Sequence, residues 1–283
     1  MYKQYIPLGV ILILSTALYF IWLPILSPFT QTAATIAFLD VGQGDAILIT
    51  SPSGKQILID GGKDSAVLRA LGSAMPFWDR TIDMVVATHP DRDHVGGLVH
   101  IVDRYDVATI LYSGVSDDDN VLQTVEQRMK DTHTVLTARR GQIFDMGDGL
   151  YIEVLFPDRE VVNMESNTGS IVLRVVYGEQ SFLLTGDAPQ SIEKYLIQLD
   201  GTALDSEVLK AGHHGSKTSS AADFVGIVSP EYVVFSRGCE NRYGHPHKQV
   251  EDLFSQWSIP TFDTCTEGTI TFTTDGRTLE VEY

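Results

Sequence analysis

Apolar positions along this chain fall into two regimes. Residues 6–26 form one apolar run dominated by Leu, Ile, Val, Phe, Tyr and Trp, with no charged side chain. From residue 35 onward the apolar residues come as short runs separated by Gly, Asp, Asn, Pro and Ser. Short runs bounded by turn formers predict strands at 35–39, 46–50, 56–59, 82–87, 109–112, 151–156, 170–176, 181–185, 208–209, 232–235 and 269–273. Segments with helical spacing predict helices at 65–73, 95–105, 121–130, 190–199 and 248–257. Strands joined by both hairpins and helices favour an α/β arrangement, sheets covered by helices, over an all-β sandwich. No internal repeat or low-complexity linker breaks residues 35–283, which read as one domain.

The first run has a different logic. At 1.5 Å per residue, about 20 apolar residues span the roughly 30 Å hydrocarbon core of a bilayer. Residues 6–28 therefore predict one transmembrane helix, a signal anchor, despite Pro7 and Pro24. Lys3 precedes the run and no Lys or Arg follows until Lys55, so the positive-inside rule leaves residues 1–5 in the cytoplasm. The expected localisation is the cell membrane, single-pass, with the catalytic domain extracytoplasmic. A cleaved signal peptide is the rival reading, with Thr32 and Ala34 as small residues in a polar stretch, and a buried globular helix is the third. Cys239 and Cys265 permit one disulfide in an exported domain; two free buried thiols are the alternative.

Charge narrows the choice of partner. The formal net charge of −17 argues against broad electrostatic attachment to nucleic acid, because phosphate contacts need Lys and Arg. A polyanionic substrate would have to be held locally, by metal ions and a few basic residues.

Candidate chemistry sits where strands end. T-H-P-D-R-D-H-V-G-G at 88–97 follows the strand 82–87 and packs two histidines and two carboxylates into six residues. His89, Asp91 and Asp93 alternate with Pro90 and Arg92, and His94 follows on the next turn. Imidazole with carboxylate suits zinc, manganese or iron, and with no cysteine nearby a catalytic site fits better than a structural one. Gly96 and Gly97 supply the permissive backbone of a tight turn. Thr185-Gly186-Asp187 places a carboxylate at another strand end, a position that equally suits a helix cap. His213 and His214 lie between glycines after a further strand, which packing alone does not explain. His245 and His247 stand in a turn-rich loop. Lys210, Lys217, Arg237, Arg242 and Lys248 surround these last two clusters and mark where an anionic substrate should bind.

The order of motifs is informative. F-L-D-V-G-Q-G-D-A (38–46), I-L-I-D-G-G (57–62), the 88–97 motif, L-L-T-G-D (183–187), L-K-A-G-H-H-G-S-K-T-S-S (209–220) and N-R-Y-G-H-P-H (241–247) together resemble the metallo-β-lactamase-like domain of ComEC-type DNA-uptake proteins. The resemblance runs from about residue 36 to the C-terminus. It implies an αβ/βα four-layer metallo-β-lactamase sandwich with two divalent metal ions, zinc or manganese, at the sheet edges. By motif, His89 and Asp91 would hold one metal, Asp93 and His94 the other. Asp187 would bridge them, and His213 or His214 would complete the second site.

Some positions depart from the superfamily pattern. Asp91 stands where H-x-H-x-D-H has its second histidine, and His133, the nearest histidine before T-G-D, lacks a fitting context. Asn167 and Ser170 occupy the segment that often carries another ligand. The first site is then oxygen-rich, weakly occupied or selective for manganese over zinc. Asp60 is placed to orient a ligating histidine, and Asp45 and Gln43 lie near the site.

The implied activity is that of a membrane-anchored, metal-dependent hydrolase, a phosphodiesterase or nuclease acting on DNA. Two metals about 3.5–4 Å apart lower the pKa of a bridging water and neutralise a phosphoryl oxygen. Asp93 or Asp187 would take the water's proton, and His245 would donate a hydrogen bond or proton to the scissile phosphate or leaving oxygen. Lys217 and Arg242, with Ser216, Asn167 and Ser170, are the candidate substrate contacts. Expected partners are DNA or another phosphodiester, the membrane and DNA-uptake machinery. Hydrolysis of a smaller phosphodiester or of a lactam or thioester remains open, as does a noncatalytic membrane-tethered binding module.

Overall fold

The computed structural model describes residues 5–26, 33–116, 120–129 and 133–283. Residues up to Gln31 and those from Thr32 onward are separate compact units.

In the first unit the helix Tyr5–Leu26 carries the long apolar run. Among the described residues no helix is long and apolar enough to cross a membrane. This overturns the expected single-pass cell-membrane localisation with an extracytoplasmic domain. Residues 1–4 of the expected cytoplasmic segment, residues 27–28 of the expected anchor, and Thr32 lie outside the described residues.

The second unit is built from strands β1 (Ala34–Phe38), β2 (Ile47–Thr50), β3 (Gln56–Ile59), β4 (Thr81–Ala87), β5 (Asp106–Tyr112), β6 (Thr134–Thr137), β7 (Ile143–Asp145), β8 (Leu150–Phe156), β9 (Val172–Tyr177), β10 (Gln180–Leu184), β11 (Val208–Lys210), β12 (Tyr232–Phe235), β13 (Thr261–Asp263), β14 (Ile270–Thr274) and β15 (Leu279–Glu282). Among the described residues they form an eight-stranded sheet, β15-β14-β1-β2-β3-β4-β5-β6, and a seven-stranded sheet, β13-β12-β11-β10-β9-β8-β7.

Side-chain alternation explains why these runs are apolar on both faces. Ile36 and Phe38, Ile57 and Ile59, Phe182 and Leu184 face a central core shared by the two sheets. Their neighbours Ala37 and Leu58 face outward with Val67, Leu71, Leu98, Ile101 and Val125, from the helices Ala66–Ala74, Leu98–Val102 and Val121–Arg128. On the other side Leu183, Leu209 and Val233 pack with Ile192, Leu196, Phe224, Val225, Val250 and Phe254, from Gln190–Asp200, Ala222–Val228 and Lys248–Gln256. A sheet covered on both faces needs near-continuous apolar strands. The result is a four-layer αβ/βα sandwich, as the motifs imply. Phe272 on β14 locks the sheets together, its ring 5.7 Å from Phe182 and 6.0 Å from Tyr232 and Phe262.

Topology puts the strand ends at one edge. β3, β4, β5 and β6 run parallel, as do β10, β11, β12 and β13, and β1 shares the direction of β3 because both pair antiparallel with β2. The motifs therefore follow the carboxyl ends of strands, the usual place for an α/β site. The helix expected over 95–105 is two pieces, Arg92–Val95 and Leu98–Val102. Backbone packing divides them: a Cβ on Gly97 would lie 1.9 Å from the Gly61 carbonyl oxygen, and one on Gly96 2.2 Å from that of Lys63. Ser170 and Thr185 lie just outside the strands expected to contain them, and Lys130, in the expected helix 121–130, lies outside the described residues.

Gly97→Ala is expected to destabilise the protein by roughly 3 kcal/mol or more, since rigid backbone has to move. Gly72→Ala, in a helix with open space around the new methyl, is expected to stabilise by about 0.5–1 kcal/mol. Urea denaturation of the two variants reads both; a Gly97 substitution as mild as that of Gly72 would contradict the packing account.

Candidate metal centre

Asp60, just past β3, begins the site. It accepts from the Thr88 N–H at 2.8 Å through Oδ1 and from the Thr88 hydroxyl at 2.7 Å through Oδ2, joining the ends of β3 and β4. Its Oδ2 also lies 2.7 Å from Nδ1 of His94. That contact fixes the ring so that Nε2 points to the site interior, the usual carboxylate–imidazole orientation of a metal ligand. His214 is turned the same way, its Nδ1 donating to the Ser236 carbonyl at 2.8 Å.

Asp187, at the end of the β10 turn, is the hub. Its Oδ2 lies 3.3 Å from His94 Nε2, 3.4 Å from His214 Nε2, 3.6 Å from His213 Nε2 and 3.9 Å from His89 Nε2. Nε2 of His94 and His214 face each other at 3.3 Å, and Asp93 Oδ2 lies 3.5 Å from the latter. Asp91 Oδ2 is 3.8 Å from His89 Nε2, while its Oδ1 accepts from Ser166 at 2.5 Å. All seven expected ligands thus reach one edge. Placing both His213 and His214 there takes left-handed backbone, φ 49° and 55°, a conformation that costs non-glycine residues about 1–2 kcal/mol each.

Electrostatics follow from burial and neighbours. Burial alone would lift the Asp187 carboxyl, but His214, His94 and Lys210 hold it well below the carboxylate range. Burial opposes charge on His94 and His214 too, yet Asp187 with Asp60 raises the first well above its ordinary value, and Asp187 with Asp45 and Asp93 raises the second to about 9. Burial, then His94, lowers His89 to about 4.

These residues fit a divalent cation. His89 Nε2 and Asp187 Oδ1 are buried without any hydrogen-bond partner, and each such group costs about 1–3 kcal/mol. Asp45, His94, Asp187 and His214 each offer a ligand atom, all within 4.8 Å of one another. Asp45 nevertheless approaches both imidazoles from the Nδ1 side, 3.8 Å from His94 and 3.4 Å from His214, and its Oδ2 is 2.6 Å from Lys210. Geometry makes it an orienting and charge-balancing group, with Asp93 and Asp187 on the Nε2 side. Gln43 joins Asp93 Oδ2 at 3.4 Å to the Gly238 N–H at 3.3 Å.

The expected substrate contacts divide. Lys217 and Arg242 are exposed. Lys210 is wholly buried, donating to the Gly186 carbonyl at 3.0 Å, so its expected place among the substrate cations is corrected. Arg237 pairs with Asp263 and Lys248 with Asp252. Ser216 is buried against the Thr218 hydroxyl, and buried Ser170 accepts from the Asp187 N–H at 3.3 Å, so both hold the loops together instead of facing outward. Asn167 Oδ1 is buried without a partner. His245, clamped by Asn241 through its own N–H and carbonyl at 2.8 Å each, has its ring 5.5 Å from that of His213. Burial and then His213 lower it to about 4. A disulfide between Cys239 and Cys265 closes the choice that the sequence left open. Ser166, 75 residues from Asp91, carried no signal in the sequence.

The pattern of the Metallo-beta-lactamase superfamily matches residues 39–238. ComE operon protein 3 of Bacillus subtilis (strain 168) is 27% identical over 266 residues, 87% of this chain and 34% of that protein. Competence protein ComA of Neisseria gonorrhoeae is 32% identical over 246 residues, 86% of this chain and 32% of its own. The chain thus spans about a third of the length of these curated relatives. Among solved structures, the metallo-beta-lactamase fold protein YhfI from Bacillus subtilis superposes with a TM-score of 0.58 at 14% identity, covering 85% of this chain and 99% of the other.

Two outcomes are expected of metal titrations. Asp60→Asn should weaken divalent-metal affinity about 10–100-fold, measured by isothermal titration calorimetry; unchanged affinity would remove Asp60 from the site. His214 keeps its proton up to about pH 9, so an incoming cation competes with that proton below this pH. Apparent affinity should rise from pH 6 to 9 with proton release on binding, and a flat profile would contradict the assignment.

Proposed function

The chain belongs to the metallo-beta-lactamase superfamily, and from that premise we propose that it is a metal-dependent hydrolase of phosphodiesters, a nuclease acting on DNA with two divalent ions. The observation that carries this reading is a buried carboxylate–imidazole cluster around Asp187, with the exposed cations Lys217 and Arg242 on the loops that supply His213, His214 and His245, in a chain of net charge −17. Acyl hydrolysis asks for an oxyanion stabiliser and an apolar pocket instead. The similarity to competence proteins, one of them Competence protein ComA, favours DNA.

His94, His214, Asp93 and Asp187 would hold one ion, and His89, Asp91 and Asp187 the other, with His213 beside them. Bound divalent ions supply water activation at neutral pH and neutralise charge on a phosphoryl oxygen. Asp93, whose carboxyl burial would lift but His214 and His94 hold low, stays ionised and accepts the proton of the attacking water. His245, neutral at neutral pH, donates an N–H to a phosphoryl or leaving oxygen. Lys217 and Arg242 hold the flanking phosphates.

Incubation with single- and double-stranded DNA in manganese, zinc or magnesium tests the reading. Metal-dependent cleavage, lost at least 100-fold in Asp93→Ala, is expected; no cleavage by metal-loaded protein would overturn it. Lys217→Glu should impair cleavage of a polyanion about tenfold and spare a neutral ester, and equal loss on both would count against a phosphodiester substrate.

A further inference from the structure

Tyr243 has no part in the chemistry described so far. It is 50% exposed in the loop that carries His245. One side leans on the His245 ring, centroids 5.6 Å apart and planes within 22° of parallel. His245 is in turn 5.5 Å from His213, whose Nε2 is 3.6 Å from Asp187 Oδ2. A series of rings thus leads from water to the buried carboxylate.

Arg242 sits at the outer end. Its guanidinium donates to the Tyr243 hydroxyl at 3.1 Å and lies over the ring, 5.1 Å from its centre. It is also within electrostatic reach of Asp93. The loop is held from both sides: Asn241 bonds His245 at both its N–H and its carbonyl, and Cys239 is tied to Cys265. A large aromatic side chain held half in water, with an exposed cation against it and the carboxylate–imidazole cluster two rings away, has the parts of a base-stacking site. Base-on-aromatic stacking tolerates any sequence, and a neighbouring arginine strengthens it.

We propose that Tyr243, together with Arg242, is a nucleobase platform that stacks the base next to the scissile phosphate, so that the site takes single strands or frayed ends in preference to intact duplex. The inference rests on the phosphodiesterase reading and names its substrate class. A base paired within a helix has both faces covered by its neighbours and cannot use the platform until it is unstacked. The polarity of the chain agrees with this: a surface of net charge −17 repels a rigid duplex along its whole length, whereas one splayed strand meets only the rim.

Stopped-flow mixing of the metal-loaded full chain with an oligodeoxynucleotide carrying 2-aminopurine, beside the same strand with abasic spacers, tests the platform. The wild type, Tyr243→Phe and Tyr243→Trp should quench the fluorophore, while Tyr243→Ala loses the quenching, with KM on the intact strand raised about tenfold and kcat little changed. On the abasic strand all four should behave alike. Undiminished quenching and KM in Tyr243→Ala, or equal weakening on both strands, overturns the platform. Quenching is read without cleavage, so hydrolysis absent while quenching persists supports the platform and counts against the hydrolase reading.

Discussion

One buried carboxylate organises the working edge of this sandwich. Asp187 presents a single oxygen to four imidazoles that arrive from both sheets. An ionised carboxylate taken out of water costs several kcal/mol unless partners surround it. Here the partners are histidines, with Lys210 behind, while Ser170 fixes the backbone by accepting from the Asp187 N–H. The same arrangement leaves His89 Nε2 without a hydrogen-bond partner. A donor set that is buried, partly orphaned and crowded with opposite charge suits a divalent cation better than it suits hydrogen bonding within the protein.

That convergence requires backbone segments to pass closer than side chains allow. A Cβ on Gly44 would sit 1.8 Å from the Asp93 carbonyl oxygen, so the loop after β1 touches the metal motif directly. Gly97 plays the same part against Gly61. The left-handed histidines at 213 and 214 and Asp60, at φ 60°, add conformational strain of about 1–2 kcal/mol each. Strain of this kind persists because the three apolar layers fix the strand ends from which the loops depart.

Much of this was readable in the chain. Strands 56–59 and 232–235 and the layer of helices were legible because a sheet buried on both faces writes itself as continuous apolar runs. The segments that converge at Asp187 were legible because histidines between glycines and closely spaced carboxylates stand out from the apolar runs around them. The short edge strands Ile143–Asp145, Thr261–Asp263 and Leu279–Glu282 were not, since three or four half-exposed residues are too short a run to separate a strand from a loop. Lys210 read as a rim cation because sequence cannot tell a buried ammonium from an exposed one; only the fold brings Asp45 to 2.6 Å. The Ser166–Asp91 contact joins distant segments through an ordinary serine. The long apolar run was a clear pattern whose reading as a membrane anchor the described helix does not uphold.

Anomalous scattering from crystals of manganese- or zinc-loaded protein tests the central claim most directly. The account predicts a peak within bonding distance of Asp187 Oδ2, His94 Nε2 and His214 Nε2, with a second beside His89 Nε2 and Asp91. Intact loops with no peak at Asp187, or metal bound only at surface carboxylates, would contradict it.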